Sequence, residues 1–244
     1  MQEPFSGYRR RIHIEPREGS IEVELEDDYH HMRLRVEHDA ETILRVQSEM
    51  IRAPWSPCPG ATAKLKQAYE QLPWAQVRGH QAKPAHCTHL FDMMDLAASH
   101  WRDENNTQFD IWVRDAGSPG STRHALIQCN DELLLQWHER AMQAEGGVLP
   151  KPMGLFEMNP WIKTLPDRLA EAARLLRWGN VIANGRNIPL ADQSDATKMP
   201  PNCYTFQPEM ATTAVRVGVI KDFSSGGDAL FAGFSSSHAF NITK

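Results

Sequence analysis

The chain has 244 residues, 41% hydrophobic and 23% charged, enough apolar material to bury a core without disulfides or a structural metal. Its 26 Lys+Arg against 31 Asp+Glu leave a net charge of −5, which argues against a nucleic-acid partner. No apolar run approaches the ~20 residues needed to span a bilayer, and residues 1–11 carry charge without the apolar stretch of a secretory signal, so a cytoplasmic location is expected.

Ile21, Val23 and Leu25 alternate with glutamates, the period-2 mark of a half-buried strand. Met32, Leu34 and Val36 repeat the pattern with Arg33 and Arg35 on the other face, and Ile43, Leu44 and Val46 predict a third strand. Pro54, Pro57 and Pro59 interrupt regular structure across 52–60. A helix follows from Ala61, with Leu65, Ala68 and Leu72 on one face. Thr88 is the expected N-cap of another, in which Leu90, Met93, Met94, Ala97 and Trp101 keep helical spacing. Residues 102–108 form a polar break.

Beyond it, Phe109, Ile111 and Val113 alternate, and 115–121 reads as a Gly/Pro/Ser turn. Asn130-Asp131 joins 125–128 to 133–137 as a hairpin, and Asn159-Pro160 opens a helix with Leu165, Leu169, Ala172 and Leu176 inward and Gly179 as its stop. Residues 184–207 are expected to be an ordered loop, and the Gly/Ser-rich tail from Ser224 to fray. The fold class is α+β, an antiparallel sheet packed on helices. Residues 1–102 form a β-meander plus helices, and 103–244 add a strand, hairpin and helix half packed with it as one unit.

Two segments carry the most chemistry. His30 and His31 head the second strand after Asp27 and Asp28. Adjacent strand residues face opposite sides, and His30 shares its side with Met32 and Leu34, so His30 is the inward base candidate. His86-Cys87-Thr88-His89 opens a helix, where the positive dipole end stabilises an anion and would depress the Cys87 pKa. Trp55 to Gly60 is a rigid turn delivering Cys58 to a third place, while Cys129 and Cys203 look bland. The spacings match no ordinary structural zinc motif, and no phosphate-loop, dinucleotide, hydrolase-elbow or zincin motif is present, so neither metal nor organic cofactor is expected.

Tyr29-His30-His31-Met32-Arg33-Leu34-Arg35, Arg52-Ala53-Pro54-Trp55-Ser56-Pro57-Cys58 and Cys87-Thr88-His89-Leu90 resemble a bacterial domain-of-unknown-function family, number 2889. The resemblance covers about 8–101, and its longer members resemble the second half through 109–115, 133–137 and Cys203 to Glu209. It implies a role in catabolism of aromatic and steroid-like compounds. Element order is also distantly similar to NifU-like iron–sulfur scaffold proteins. That likeness implies one pocket formed by His30, Cys58, Cys87 and His89, with the scaffold family's first cysteine missing near Asp28.

The function so implied is a cofactor-independent lyase. It would cleave a side chain of a small, lignin-type aromatic by elimination or retro-aldol chemistry, losing a small aldehyde. His30 or His31 is the expected base, with Cys87 and His89 stabilising negative charge. Arg35, Trp55, Cys58, His86 and Tyr204, with Phe206, are expected to hold the substrate. A zinc- or iron-binding protein and a non-catalytic binding module remain alternatives. A homo-oligomer is compatible with the sequence, and no membrane partner is expected.

Overall fold

The computed structural model describes residues 6–115, 124–138, 141–144, 147–149, 155, 157–224 and 229–232. The expected turn at 115–121 and the tail from Ser224 lie largely outside the described residues. Among the described residues, no helix is long and apolar enough to cross a membrane.

The meander is one strand longer than its alternation suggested. β1 (Gly7–Arg17), β2 (Ser20–Asp27), β3 (His31–His38) and β4 (Ile43–Arg52) precede the helices α1 (Ala61–Tyr69), α2 (Trp74–Val77) and α3 (Thr88–His100). β5 (Thr107–Arg114), β6 (His124–Cys129), β7 (Glu132–His138), β8 (Ala141–Ala144) and β9 (Gly147–Leu149) follow, then α4 (Met158–Ile162), α5 (Asp167–Ala183) and α6 (Pro208–Ala211). Among the described residues the strands make one sheet, ordered β4-β3-β2-β1-β5-β6-β7-β8-β9, with every neighbouring pair antiparallel. The polar break at 102–108 is therefore a connection within one sheet, because β5 returns to pair along β1 from Gly7↔Arg114 to Ile14↔Thr107.

Strand alternation divides the sheet chemically. Tyr8, Ile12, Ile14, Ile21, Val23, Leu25, Met32, Leu34 and Val36 are buried in the principal core beneath the helices. The intervening residues carry cross-strand polar pairs on the opposite face: the ion pairs Arg11–Asp110 at 2.7 Å and Arg35–Glu22 at 2.6 Å, and the hydrogen bond between His31 and Glu24 at 2.7 Å.

α3 and α5 run antiparallel across the core face. His100 near the end of α3 meets Glu171 near the start of α5 at 2.9 Å, and His89 at the start of α3 meets the Trp178 ring near the end of α5. Burial opposes protonation of His100, but Glu171 and Asp103 hold its pKa above the usual value and favour the charged form of the pair.

Two local expectations change. The helix expected from Asn159 is broken at 163–166, where Pro166 N-caps α5. Gly179 does not stop it: it lies inside α5, where an added Cβ would come within 2.9 Å of Ile111 Cγ2. The glycine lets the helix approach the sheet closely. The 184–207 segment is a chain of short 3₁₀ turns, and Asn130 (φ 48°) with Asp131 (φ 68°) makes the tight turn of the β6–β7 hairpin.

Candidate active site

The β2–β3 turn is built around one carboxylate. Oδ1 of Asp27 accepts hydrogen bonds from the backbone N–H groups of Tyr29 and His30, both at 2.8 Å, closing the turn by side chain. The same oxygen lies 2.9 Å from His30 Nδ1. Oδ2 accepts from Tyr8 Oη at 2.8 Å and from Arg10 Nε and Nη2 at 3.0 and 2.6 Å. All this is buried: Asp27 is 0% exposed, Arg10 1% and Tyr8 0%. Burial alone would raise the Asp27 pKa, but His30 and Arg10 together hold it well below the usual carboxylate range. Asp27 is therefore an anion, and the Nδ1–H of His30 donates to it. When the His30 ring is neutral, that hydrogen bond leaves Nε2 as the lone-pair nitrogen.

His89, on the first turn of α3, is held against the same pair. Its ring lies 3.9 Å from that of His30 by centroid, and its Nε2 is 2.9 Å from Arg10 Nη2. A guanidinium only donates, so Nε2 of His89 accepts and Nδ1 carries the proton. Burial, then His30 and Arg10, push the His89 pKa well below the imidazole value. A basic nitrogen and a neutral N–H donor thus sit side by side.

Both rings open on a cavity of about 280 Å³, near the lower end of small-molecule sites. Its walls are mainly apolar: Met32, Trp55, Trp178, Ile182, Tyr204 and Phe206. Trp55 and Phe206 stack edge to face at 5.8 Å, and Cys58 Sγ is 3.2 Å from Thr205 Oγ1. Beside the cavity, Arg186 on the loop after α5 ties the second half to the turn, reaching Asp28 Oδ2 at 2.5 Å and Asp115 Oδ1 at 2.6 Å.

The placement of the expected residues is mixed. His30, Cys87, His89, Trp55, Cys58 and Tyr204 all line this cavity. His31 and Arg35 do not: they occupy the ion-paired face, where His31 meets Glu24 and Arg35 meets Glu22, because each is one residue out of phase with the core set. The His86 ring also turns away, packing near Tyr69 and Phe91 with both nitrogens buried and without a hydrogen-bond partner among the described residues. Only its backbone oxygen supports the wall, accepting from Tyr204 N at 2.9 Å. Cys87 is itself the N-cap of α3, one residue before the expected Thr88. Its thiol is not acidified: burial pushes its pKa up to about 12, outweighing the helix-start N–H groups.

Sequence reasoning missed Tyr8, Arg10, Trp178 and Arg216, and treated Cys203, which lines the cavity, as bland. The signal for Asp27 was present as an acid three residues before His30. For Arg10 it lay in the alternation Tyr8–Arg10–Ile12–Ile14, which places a cation among core residues.

Asp27, His30 and His89 also offer donor atoms within 4.8 Å of one another, the one such group of three or more among the described residues. The guanidinium of Arg10 already bridges Asp27 Oδ2 and His89 Nε2 at 2.6 and 2.9 Å. A metal ion using those atoms would have to displace a buried cation.

No curated protein matches the chain. Residues 10–103 match the family model described as "Protein of unknown function (DUF2889)". The match contains Asp27, His30, Cys58, Cys87 and His89, whereas Trp178, Tyr204 and Arg216 lie beyond it. The span similar to the DUF2889 family, residues 10–103, supplies the Asp27–His30–His89 core of the cavity.

Proposed function

We propose that the cavity is the active site of a lyase that needs no organic cofactor and acts on a small aromatic molecule. The observation that carries this reading is the Asp27–His30 pair facing the neutral N–H of His89 inside an aromatic-walled, largely apolar pocket. Asp27 fixes the His30 tautomer and stabilises the imidazolium formed when Nε2 takes a proton, the same logic that a carboxylate serves behind any catalytic histidine. His89 Nδ1–H, held in register by Arg10, donates to the oxygen on which charge develops.

For a β-hydroxy carbonyl or vinylogous aromatic substrate, the sequence of events balances without an oxidant. His30 Nε2 takes the hydroxyl proton, the C–C bond breaks, and its electron pair passes to the carbonyl oxygen as an enolate beside His89. The hydroxyl carbon leaves as a small aldehyde, and the His30 imidazolium returns its proton to carbon. Elimination of water uses the same two groups: Nε2 takes the C–H proton beside the carbonyl, the enolate forms beside His89, and as it collapses the β C–O bond breaks and the leaving hydroxide takes the proton of the His30 imidazolium as water.

The test is a panel of side-chain-hydroxylated, lignin-type aromatics incubated with purified protein, with released aldehyde trapped as a hydrazone. His30→Ala should lower release by roughly 10²–10⁴ while the protein still folds, its melting temperature lowered by only several degrees, roughly 2–4 °C per kcal/mol, for the lost contact with Asp27. Equal release by wild type and variant would remove His30 as the base. No release from any member would remove the aldehyde-losing reaction.

A second reading, a zinc or iron protein, draws on the donor grouping of Asp27, His30 and His89. Metal analysis of untagged protein separates the two, and the buried Arg10 predicts less than stoichiometric metal.

A further inference from the structure

Arg216 stands apart from three other enclosed arginines. Arg10, Arg52 and Arg186 each sit on carboxylates, at 2.6, 3.0 and 2.5 Å. Arg216 is half-buried and lines the cavity, yet no ion pair or hydrogen bond to its side chain occurs among the described residues. Its guanidinium lies over the Trp55 ring, 5.5 Å from the centroid, and its backbone bridges to Trp55. The acid on the same wall, Asp192, is exposed and makes no ion pair with it.

Burial in these surroundings lowers the Arg216 pKa from the usual arginine value. Hydrogen bonding to Asp115 and Asp28 raises that of Arg186. A cation partly stripped of water, oriented by an aromatic face and left without an anion favours an anion from outside. The rest of the wall fixes what else that anion carries. Trp55, Phe206 and Tyr204 present ring faces and edges, which suit a planar apolar body.

Resting on the reading of this cavity as the substrate site, we propose that Arg216 is the anion-recognition residue and that the ligand is an aromatic carboxylate, its ring against Trp55 and its carboxylate on the Arg216 guanidinium. The fork geometry of arginine takes a carboxylate in two parallel hydrogen bonds. A neutral ester of the same ring leaves the guanidinium unpaired.

Cinnamate and methyl cinnamate, titrated against the whole chain, give a direct comparison. Quenching of tryptophan fluorescence reports occupancy, since Trp55 and Trp178 line the site, and calorimetry checks the affinity. The acid should bind roughly 10- to 100-fold more tightly than the ester, the span of a charge-assisted hydrogen bond. Arg216→Gln should bring the two ligands to equal affinity, whereas Arg216→Lys should keep part of the preference.

Equal binding of acid and ester to the wild type, or a preference that survives in Arg216→Gln, overturns the proposal, as does a failure of both ligands to bind at millimolar concentration. Because the readout is affinity, it is independent of turnover. Acid preference with no effect of His30→Ala on catalysis would sink the base assignment and leave the carboxylate site standing.

Discussion

Arg10 Nη2 approaches His89 Nε2 to 2.9 Å, and this contact decides where the His89 proton resides. It also gives stability a pH dependence of definite sign. His89 is neutral in the folded chain, its pKa driven well below the imidazole value by burial and then by His30 and Arg10. In the unfolded chain it takes a proton as pH falls through ~6.5, so the unfolded state binds more protons and gains. Stability should therefore drop below about pH 6.5, by at most ~1.4 kcal/mol per pH unit from this group. Urea unfolding at pH 5, 6, 7 and 8 measures the slope. His89→Gln, whose amide oxygen still accepts from Arg10, should flatten it, and parallel slopes in the two proteins would refute the assignment.

Asp27 joins the fold to the candidate chemistry through Tyr8, Arg10, the turn backbone and His30. Asp27→Asn keeps the shape but leaves the Arg10 charge buried without its counter-ion. A loss of ~3–5 kcal/mol is expected, the range for breaking one side of a buried pair. Tyr8→Phe removes a single hydrogen bond to the same charged oxygen and should cost less, ~1.5–3 kcal/mol. Denaturant midpoints compare the two, and equal small losses would mean that Arg10 finds another partner.

The core face was legible because strand periodicity is strict. Ile21, Val23 and Leu25, and then Met32, Leu34 and Val36, point to one side, and all are buried. The same parity placed His30 inward and His31 outward. β1 was harder to read, since Arg9, Arg10 and Arg11 interrupt its alternation with charge, and two of them are buried despite it. The partner of a charge is a long-range fact: Arg10 meets Asp27 across a strand pair and His89 across the layer. Local spacing carries no record of such meetings. Nor does it reveal Arg216, which reaches the cavity through an extended segment bridged to Trp55. The direction of the Cys87 pKa failed for a related reason. A helix-start dipole was visible in sequence, but the depth of burial that outweighs it was not.

Cys87 offers a cheap test of that reversal. With its pKa near 12, the thiolate fraction at pH 8 is roughly one in 10⁴. Iodoacetamide should leave Cys87 unmodified under native conditions, as read by peptide mass mapping, and modify it in urea. Cys87→Ser should then change turnover only a few-fold, because a hydroxyl replaces a thiol that is not acting as a nucleophile. Rapid native alkylation of Cys87 would instead indicate an activated thiolate.

The Asp28–Arg186 pair carries the last expectation, because it fastens the loop after α5 to the β2–β3 turn. Burial pushes the Asp28 pKa up to about 7, against the pull of Arg186. A raised carboxylate pKa means that the folded state binds the proton more tightly than the unfolded one. The stability linked to this group is therefore full below about pH 4 and is lost as pH rises through about 7. Arg186→Gln removes the counter-charge, so its cost should grow with pH: small near pH 5.5, where Asp28 takes a proton, and ~3–5 kcal/mol at pH 8, where a bare carboxylate would be buried. Asp28→Asn combined with Arg186→Gln removes that charge as well, and the double variant should recover most of the loss at pH 8. Urea unfolding of the single and double variants at both pH values completes the cycle. If Arg186→Gln costs the same at pH 5.5 and 8, or the double variant is no more stable than Arg186→Gln alone, the buried charge of Asp28 is not what Arg186 neutralises.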